Sequence, residues 1–246
     1  MPPNPIQRLT LAAITRALGL GWRHFRGNRL TSIAYALPFA GIGLLLWLII
    51  GQLQATPMAL AASGGFMLVG PILLGGYFEL ADRMIRNEPV RLSHALVAYR
   101  QAPPGLWAIG AVCALFYLIW ITDAATLYGF MVGGSPGGVA TFLAPGSNVR
   151  SFAFWSSLMG AALAFIIFAV TTFSVPLLHY RRTQLIEAVM ISVKTVFTNF
   201  PAAMAWGILV AATMIASVLL LPLFLVTFPI LAYASHALYL ELFGTD

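Results

Sequence analysis

Charge is scarce in this chain. Lys, Arg, Asp and Glu together make up 8% of its 246 residues, where a soluble domain carries about 25%. Hydrophobic residues make up 60%. A water-soluble fold of this length could not hide that much apolar surface, so the solvent is lipid. Acids are the rarer sign, 7 against 13 Lys and Arg, for a net charge of +6. That excess points to lipid headgroups and not to nucleic acid, because a nucleic-acid binder needs a basic face on a soluble module. The single cysteine, Cys113 in AVCALFYLIW, can form no internal disulfide and suggests no metal site. HExxH, paired cysteines and G-x-S-x-G are all missing. The glycine-rich GGSPGG at 133–138 lacks the lysine of a phosphate-binding loop and reads as a turn. No catalytic residue, metal site or cofactor is predicted, and enzymatic activity would need an unrecognised constellation.

What the chain does have is long apolar runs. About 20 apolar residues cross the hydrocarbon core. The runs predict an all-α membrane bundle with six spans, at 32–51, 57–79, 106–128, 153–178, 202–220 and 222–240. The last two join without a polar turn. A single helix over 202–240 would measure roughly 58 Å, about twice the core thickness. A hairpin near Leu221–Pro222 is therefore favoured over one long kinked helix. Twelve of the 13 basic residues fall before span one, between spans two and three, or between four and five, and Arg150 falls on the other side. The positive-inside rule then predicts a bacterial inner-membrane protein with N-terminus, basic loops and C-terminus cytoplasmic.

The first 30 residues lack the compact apolar core and cleavage site of a secretory signal. Their arginines and lack of acids also suit a mitochondrial transit peptide. However, Leu11, Ile14, Leu18, Trp22 and Phe25 recur at three and four, as on a helix lying flat on an anionic surface. The surface helix is preferred because its pattern returns. ALGLGWR (17–23), HALVAYR (94–100) and AVMISVK (188–194) align, each ending in a cation. Asn28, Gly105 and Asn199 follow five residues after those cations, and then a pair of spans. The chain thus reads as three units, each a surface helix plus a two-span hairpin, with the helices at 8–26, 91–101 and 184–198. Arg23, Arg26, Arg29, Arg100 and Lys194 are the basic residues expected to meet anionic headgroups. Pro71, Pro176 and Pro229 fall in the returning spans, where a proline removes a backbone donor and bends a helix. They read first as packing kinks, and second as breaks opening a solute site. Small residues four apart, such as Gly160 with Ala164 and Gly207 with Ala211, suit close helix contact.

LVGPILLGGYFELADRMIRNEPV, SVPLLH and KTVFTNFPAAMAWGILVA, in this order, resemble a family of bacterial six-span integral membrane proteins of unknown function. Some members are labelled cytochrome c oxidase subunits. The resemblance covers roughly 15–240 and implies a fold and a location. Haem-copper catalysis would need a cluster of core histidines that this chain lacks. The three-unit plan is also like that of mitochondrial carriers, but their P-x-[DE]-x-x-[KR] signature is absent. Leucine stands two residues after Pro71, Pro176 and Pro229.

Of the titratable residues, Glu79, His179 and His236 lie near the basic ends of returning spans and are predicted to converge. Two facing histidines could hold a haem, although interfacial polar residues explain His179 and His236 more simply. Glu79 with Arg83, and Asp82 with Arg86, are spaced as i,i+4 pairs on a helical extension. Asp123 lies towards the far end of span three, within reach of water. Two functions fit: an accessory, assembly or membrane-organising protein in a membrane complex, or a small-solute transporter or channel. An oxidase-associated subunit comes third.

Overall fold

The computed structural model describes residues 7–52, 71–133 and 148–244. They form ten helices and no strand: α1 (Leu11–Gly27), α2 (Arg29–Gln52), α3 (Pro71–Ile85), α4 (Leu92–Arg100), α5 (Pro104–Met131), α6 (Asn148–Thr171), α7 (Ser174–His179), α8 (Leu185–Thr198), α9 (Phe200–Leu219) and α10 (Leu221–Phe243). Four stretches are long and apolar enough to cross a membrane: Pro104–Met131, Asn148–His179, Phe200–Ser217 and Pro222–Phe243. α2 is a further apolar helix. Most of the expected second span, residues 57–70, lies outside the described residues, so the structure leaves the number of spans open. At Leu220 the chain doubles back. The Ser217 and Thr227 hydroxyls, ten residues apart, meet at 2.6 Å; one continuous helix would hold them roughly 15 Å apart.

The short helices α1, α4 and α8 touch their own hairpins but pack chiefly on other elements. α4 lies on α3, α8 on α6 and α7, and α1 on α10. Each surface helix is thus seated on the returning helix of the preceding unit, and the first unit closes the ring against the last. α1 shows how local sequence sets this up. Thr10 caps its start, accepting from the Ala13 amide at 3.1 Å. Ala13, Ile14, Ala17, Gly21 and Phe25 then form one buried stripe, while Arg16, Arg23 and Arg26 stay exposed. Gly21 lets the two backbones touch, because a Cβ there would lie 2.5 Å from the Ile230 carbonyl oxygen. Arg16 pairs with Glu241 on α10, and Asn199 at the α8–α9 junction accepts from the Leu9 amide. Gly21→Ala is expected to lift α1 from α10. It should appear as faster amide exchange across Leu11–Gly27, with the spans still protected.

Ser192 occupies in α8 the place that Gly21 occupies in the first repeat, and it enters the backbone of its neighbour. The helix is broken at Thr172–Phe173, between α6 and α7. There the Phe173 amide donates to Ser192 Oγ (3.1 Å), and that hydroxyl donates to the Ala169 carbonyl (2.7 Å). In an unbroken helix this amide and this carbonyl would bond each other. One buried hydroxyl therefore bridges the missing rung.

These observations place the prolines relative to the break. The break precedes Pro176, which sits in the first turn of α7, where no amide is required. Pro229 lies inside α10, which continues through it. Pro71 heads α3, and the residues before it lie outside the described ones. Pro38 lies inside α2, an outgoing helix, so the returning helices have no monopoly on proline. At the small-residue positions, large rings fill the space: Trp120 lies against Gly160 and Phe168 against Gly207.

Candidate functional site

α3, α7 and α10, one from each unit, come together at the basic end of the bundle, with α3 packed on both others. The sequence LLGGY makes this possible. Gly75 leaves room for the His179 ring and Leu106 on one side of α3, and Gly76 leaves room for the Tyr35 ring on the other. α3 then turns Asp82, nearly two turns further on, towards the remaining two helices.

Asp82, Tyr180 and His236 form a closed triangle. The Tyr180 hydroxyl donates to Asp82 Oδ2 at 2.8 Å and lies 2.7 Å from His236 Nε2. His236 Nε2 lies 2.9 Å from Asp82 Oδ1. A proton on Nε2 lets each carboxylate oxygen accept one bond, which assigns that tautomer from the network. His236 is wholly buried, whereas the Asp82 side chain is 21% exposed. Burial opposes ionisation of Asp82. The hydrogen bond and positive field of His236, together with the Tyr180 bond, outweigh it and hold the carboxyl below its ordinary range. Burial first, and then the Asp82 charge, push the Tyr180 phenol far above its ordinary range. The triangle joins three chain segments by hydrogen bonds to a carboxylate, with Asp82 and Tyr180 partly exposed and His236 buried.

The predicted trio is only partly assembled. His236 is in the triangle. Glu79 points to Arg83 (2.8 Å), and Arg83 also holds Glu88. His179 lies on the far side of Phe78, whose buried ring packs against both imidazoles, with centroids 5.6 and 5.5 Å away. Among the described residues no group of three His, Cys, Asp or Glu is placed to hold a metal. Asp82 bonds Tyr180 and His236 in place of the expected Arg86, and Arg86 turns to Glu88 (3.4 Å). Arg23, Arg26, Arg29, Arg100 and Lys194 are exposed. Asp82, Tyr180 and Ser192 were missed as partners. The available signal was a polar residue near the basic end of each returning helix, at Glu79 and Asp82, at His179–Tyr180 and at His236.

A second layer lies beneath α1. The Ser32 hydroxyl meets the Tyr233 hydroxyl at 2.8 Å, and Tyr77 donates to the Ser32 carbonyl at 3.0 Å. His24 of α1 stands edge-on to Tyr233, 5.8 Å away. Burial, then the charges of His236 and Arg23, lower its pKa. The docked helix thus prefers neutral His24. Its contribution is fully present above the unfolded value of about 6.5 and is lost as pH falls below it. A spin label at Arg16 should therefore gain mobility between pH 7.5 and 5, and His24→Gln should flatten that response.

Residues 58–179 match the family model described as Predicted integral membrane protein (DUF2189). Through that stretch, just under half of its length, the chain is similar to a family of predicted integral membrane proteins. The family's function is unknown, and its description gives no support to the oxidase label. The matched stretch contains Asp82 but ends one residue before Tyr180 and does not reach His236, so one corner of the triangle lies within the family segment and two beyond it. No curated protein and no solved structure matches the chain.

Proposed function

We propose that the chain is a non-catalytic accessory, assembly or membrane-organising protein of the bacterial inner membrane, with its termini and basic loops cytoplasmic. The supporting observation is what the apolar helices do with their few hydroxyls. Thr122 bonds the Leu118 carbonyl, Thr171 the Ile167 carbonyl, Thr172 the Phe168 carbonyl and Ser235 the Leu231 carbonyl, at 2.6–2.9 Å. Such groups are spent on their own helix. A path that replaced a solute's hydration would need polar groups left over. Meanwhile α5 and α6 turn Leu115, Leu118, Phe154 and Leu158 outward, an apolar face suited to lipid or to the spans of a partner.

The transporter reading draws on the break at Thr172–Phe173, but Ser192 already takes up the amide and the carbonyl there. Purification in mild detergent separates the readings. Stoichiometric co-purifying membrane subunits support the proposal. Stabilisation by a small solute supports transport, and a haem absorption band supports the oxidase association. Reporter fusions at residue 137 and at the C-terminus test the topology, and a periplasmic C-terminus would overturn the orientation.

A further inference from the structure

Two helices in this chain end in the same hydrogen-bonded turn, but with different residues at its strained position. After α3, the Asn87 amide bonds the Met84 carbonyl and the Glu88 amide bonds the Arg83 carbonyl. After α7, the Arg181 amide bonds the Leu178 carbonyl and the Arg182 amide bonds the Leu177 carbonyl. Both turns are Schellman motifs, whose C′ residue is left-handed and usually Gly, sometimes Asn. Asn87, at φ 56°, fits that preference, and Arg181, at φ 52°, does not. A side chain with a Cβ costs about 1 kcal/mol or more in this conformation. Glycine would serve the turn better, so the arginine is not there for the turn.

The strained position puts Arg181 at the edge of an open cavity of about 430 Å³. The walls include Pro104, Ala108, Leu178 and Leu185, and Thr183 and Gln184 stand beside the arginine. Arg181 Nη2 reaches the Gln101 carbonyl at a long 3.3 Å. No other partner for its guanidinium is found among the described residues. The apolar stretch Asn148–His179 ends at this cavity, and Pro104–Met131 begins there. The cavity therefore lies at the boundary between hydrocarbon and headgroups, with apolar walls and one planar cation at its rim.

We propose that this cavity binds one anionic phospholipid, with the headgroup phosphate on the Arg181 guanidinium and the upper acyl chain against Leu178, Leu185 and Ala108. Arginine suits the role because its planar fork pairs two donors with phosphate oxygens. Charge complementarity selects the occupant: the rim offers a cation, and Glu187, the acid at the start of α8, is engaged by the Thr183 hydroxyl. The inference rests on the chain being a membrane protein and is independent of the choice between accessory and transport roles.

The test uses the full chain in mild detergent, with native mass spectrometry and thermal melting. Phosphatidylglycerol is compared with phosphatidylcholine and with inorganic phosphate. Wild type should retain one phosphatidylglycerol at least fivefold more strongly than phosphatidylcholine, and phosphate alone should do nothing. Arg181→Gly relieves the backbone, so its lipid-free melting temperature should hold or rise while that selectivity falls to about one. Ala108→Phe fills the cavity, keeps the arginine, and should lose the bound lipid as well. Unchanged phosphatidylglycerol retention in Arg181→Gly would overturn the site, as would equal stabilisation by free phosphate.

Discussion

Asp82→Ala is expected to lower stability by about 1–3 kcal/mol, the scale for leaving buried hydrogen-bonding groups without their partner. The substitution leaves the wholly buried His236 without its carboxylate and takes the acceptor from the Tyr180 hydroxyl. Asp82→Asn should cost less, because its carbonyl still accepts one of the two bonds. The triangle also predicts coupling. If Asp82 and His236 act on each other, Asp82→Ala combined with His236→Leu should cost less than the sum of the single changes, by about 1–3 kcal/mol. Melting curves of the four proteins in one detergent measure this, and strict additivity would show that the bonds contribute nothing jointly. Acid should mimic the first substitution. The Asp82 pKa is lowered in the fold, so its contribution is present above the ordinary carboxylate value near 4 and is lost as pH falls through the folded value.

Ser192→Ala is expected to remove about 2–4 kcal/mol. The change strands two backbone groups at once, the Phe173 amide and the Ala169 carbonyl, and each unsatisfied buried group costs about 1–3 kcal/mol. The Ser192 side chain is wholly buried, so water does not readily replace it. The contrast is Thr172→Ala, at the break itself. That hydroxyl only adds a bond to the Phe168 carbonyl of its own helix, so its loss should cost less than about 1 kcal/mol. Thermal melts of the two variants side by side test the bridge. Equal effects would mean that the break closes by itself once the serine is gone.

The membrane bundle and the surface helices were legible because burial in lipid and amphipathic spacing both leave periodic marks. Of the expected stripe Leu11, Ile14, Leu18, Trp22 and Phe25, Ile14 and Phe25 are buried on the side that α10 covers, while Leu11 and Trp22 are exposed. The neighbour that covers it was not legible. The repeat marks three similar units, but nothing in ALGLGWR says that it meets α10 and not its own hairpin. Gly21 and Ser192 share a column in the repeat, yet they work by different physics, one by vacating space and the other by filling a backbone gap. The candidate site was half legible for a related reason. Glu79 and Asp82 both sit on α3 near its basic end, and three residues of helix rotate them by about 300°. That rotation sends Asp82 inward to Tyr180 and His236 and leaves Glu79 to Arg83, a difference set by the packing of α3 between its neighbours. A proline's effect depends on its position within a turn, which the sequence alone does not give. Pro176 needs no rescue in the first turn of α7, while the real break lies three residues earlier.

The central claim is that the three units close into a ring, with the first surface helix seated on the last span. It is tested most directly by linking the two ends of the chain. In a Cys113→Ala background, cysteines at Arg16 and Glu241 replace an ion pair between α1 and α10. A short bifunctional thiol reagent applied to the protein in membranes should join them within one chain at high yield. The same pair combined with Gly21→Leu should link poorly. Equal, low linkage in both proteins would contradict the ring and leave α1 as a helix lying on the bilayer by itself.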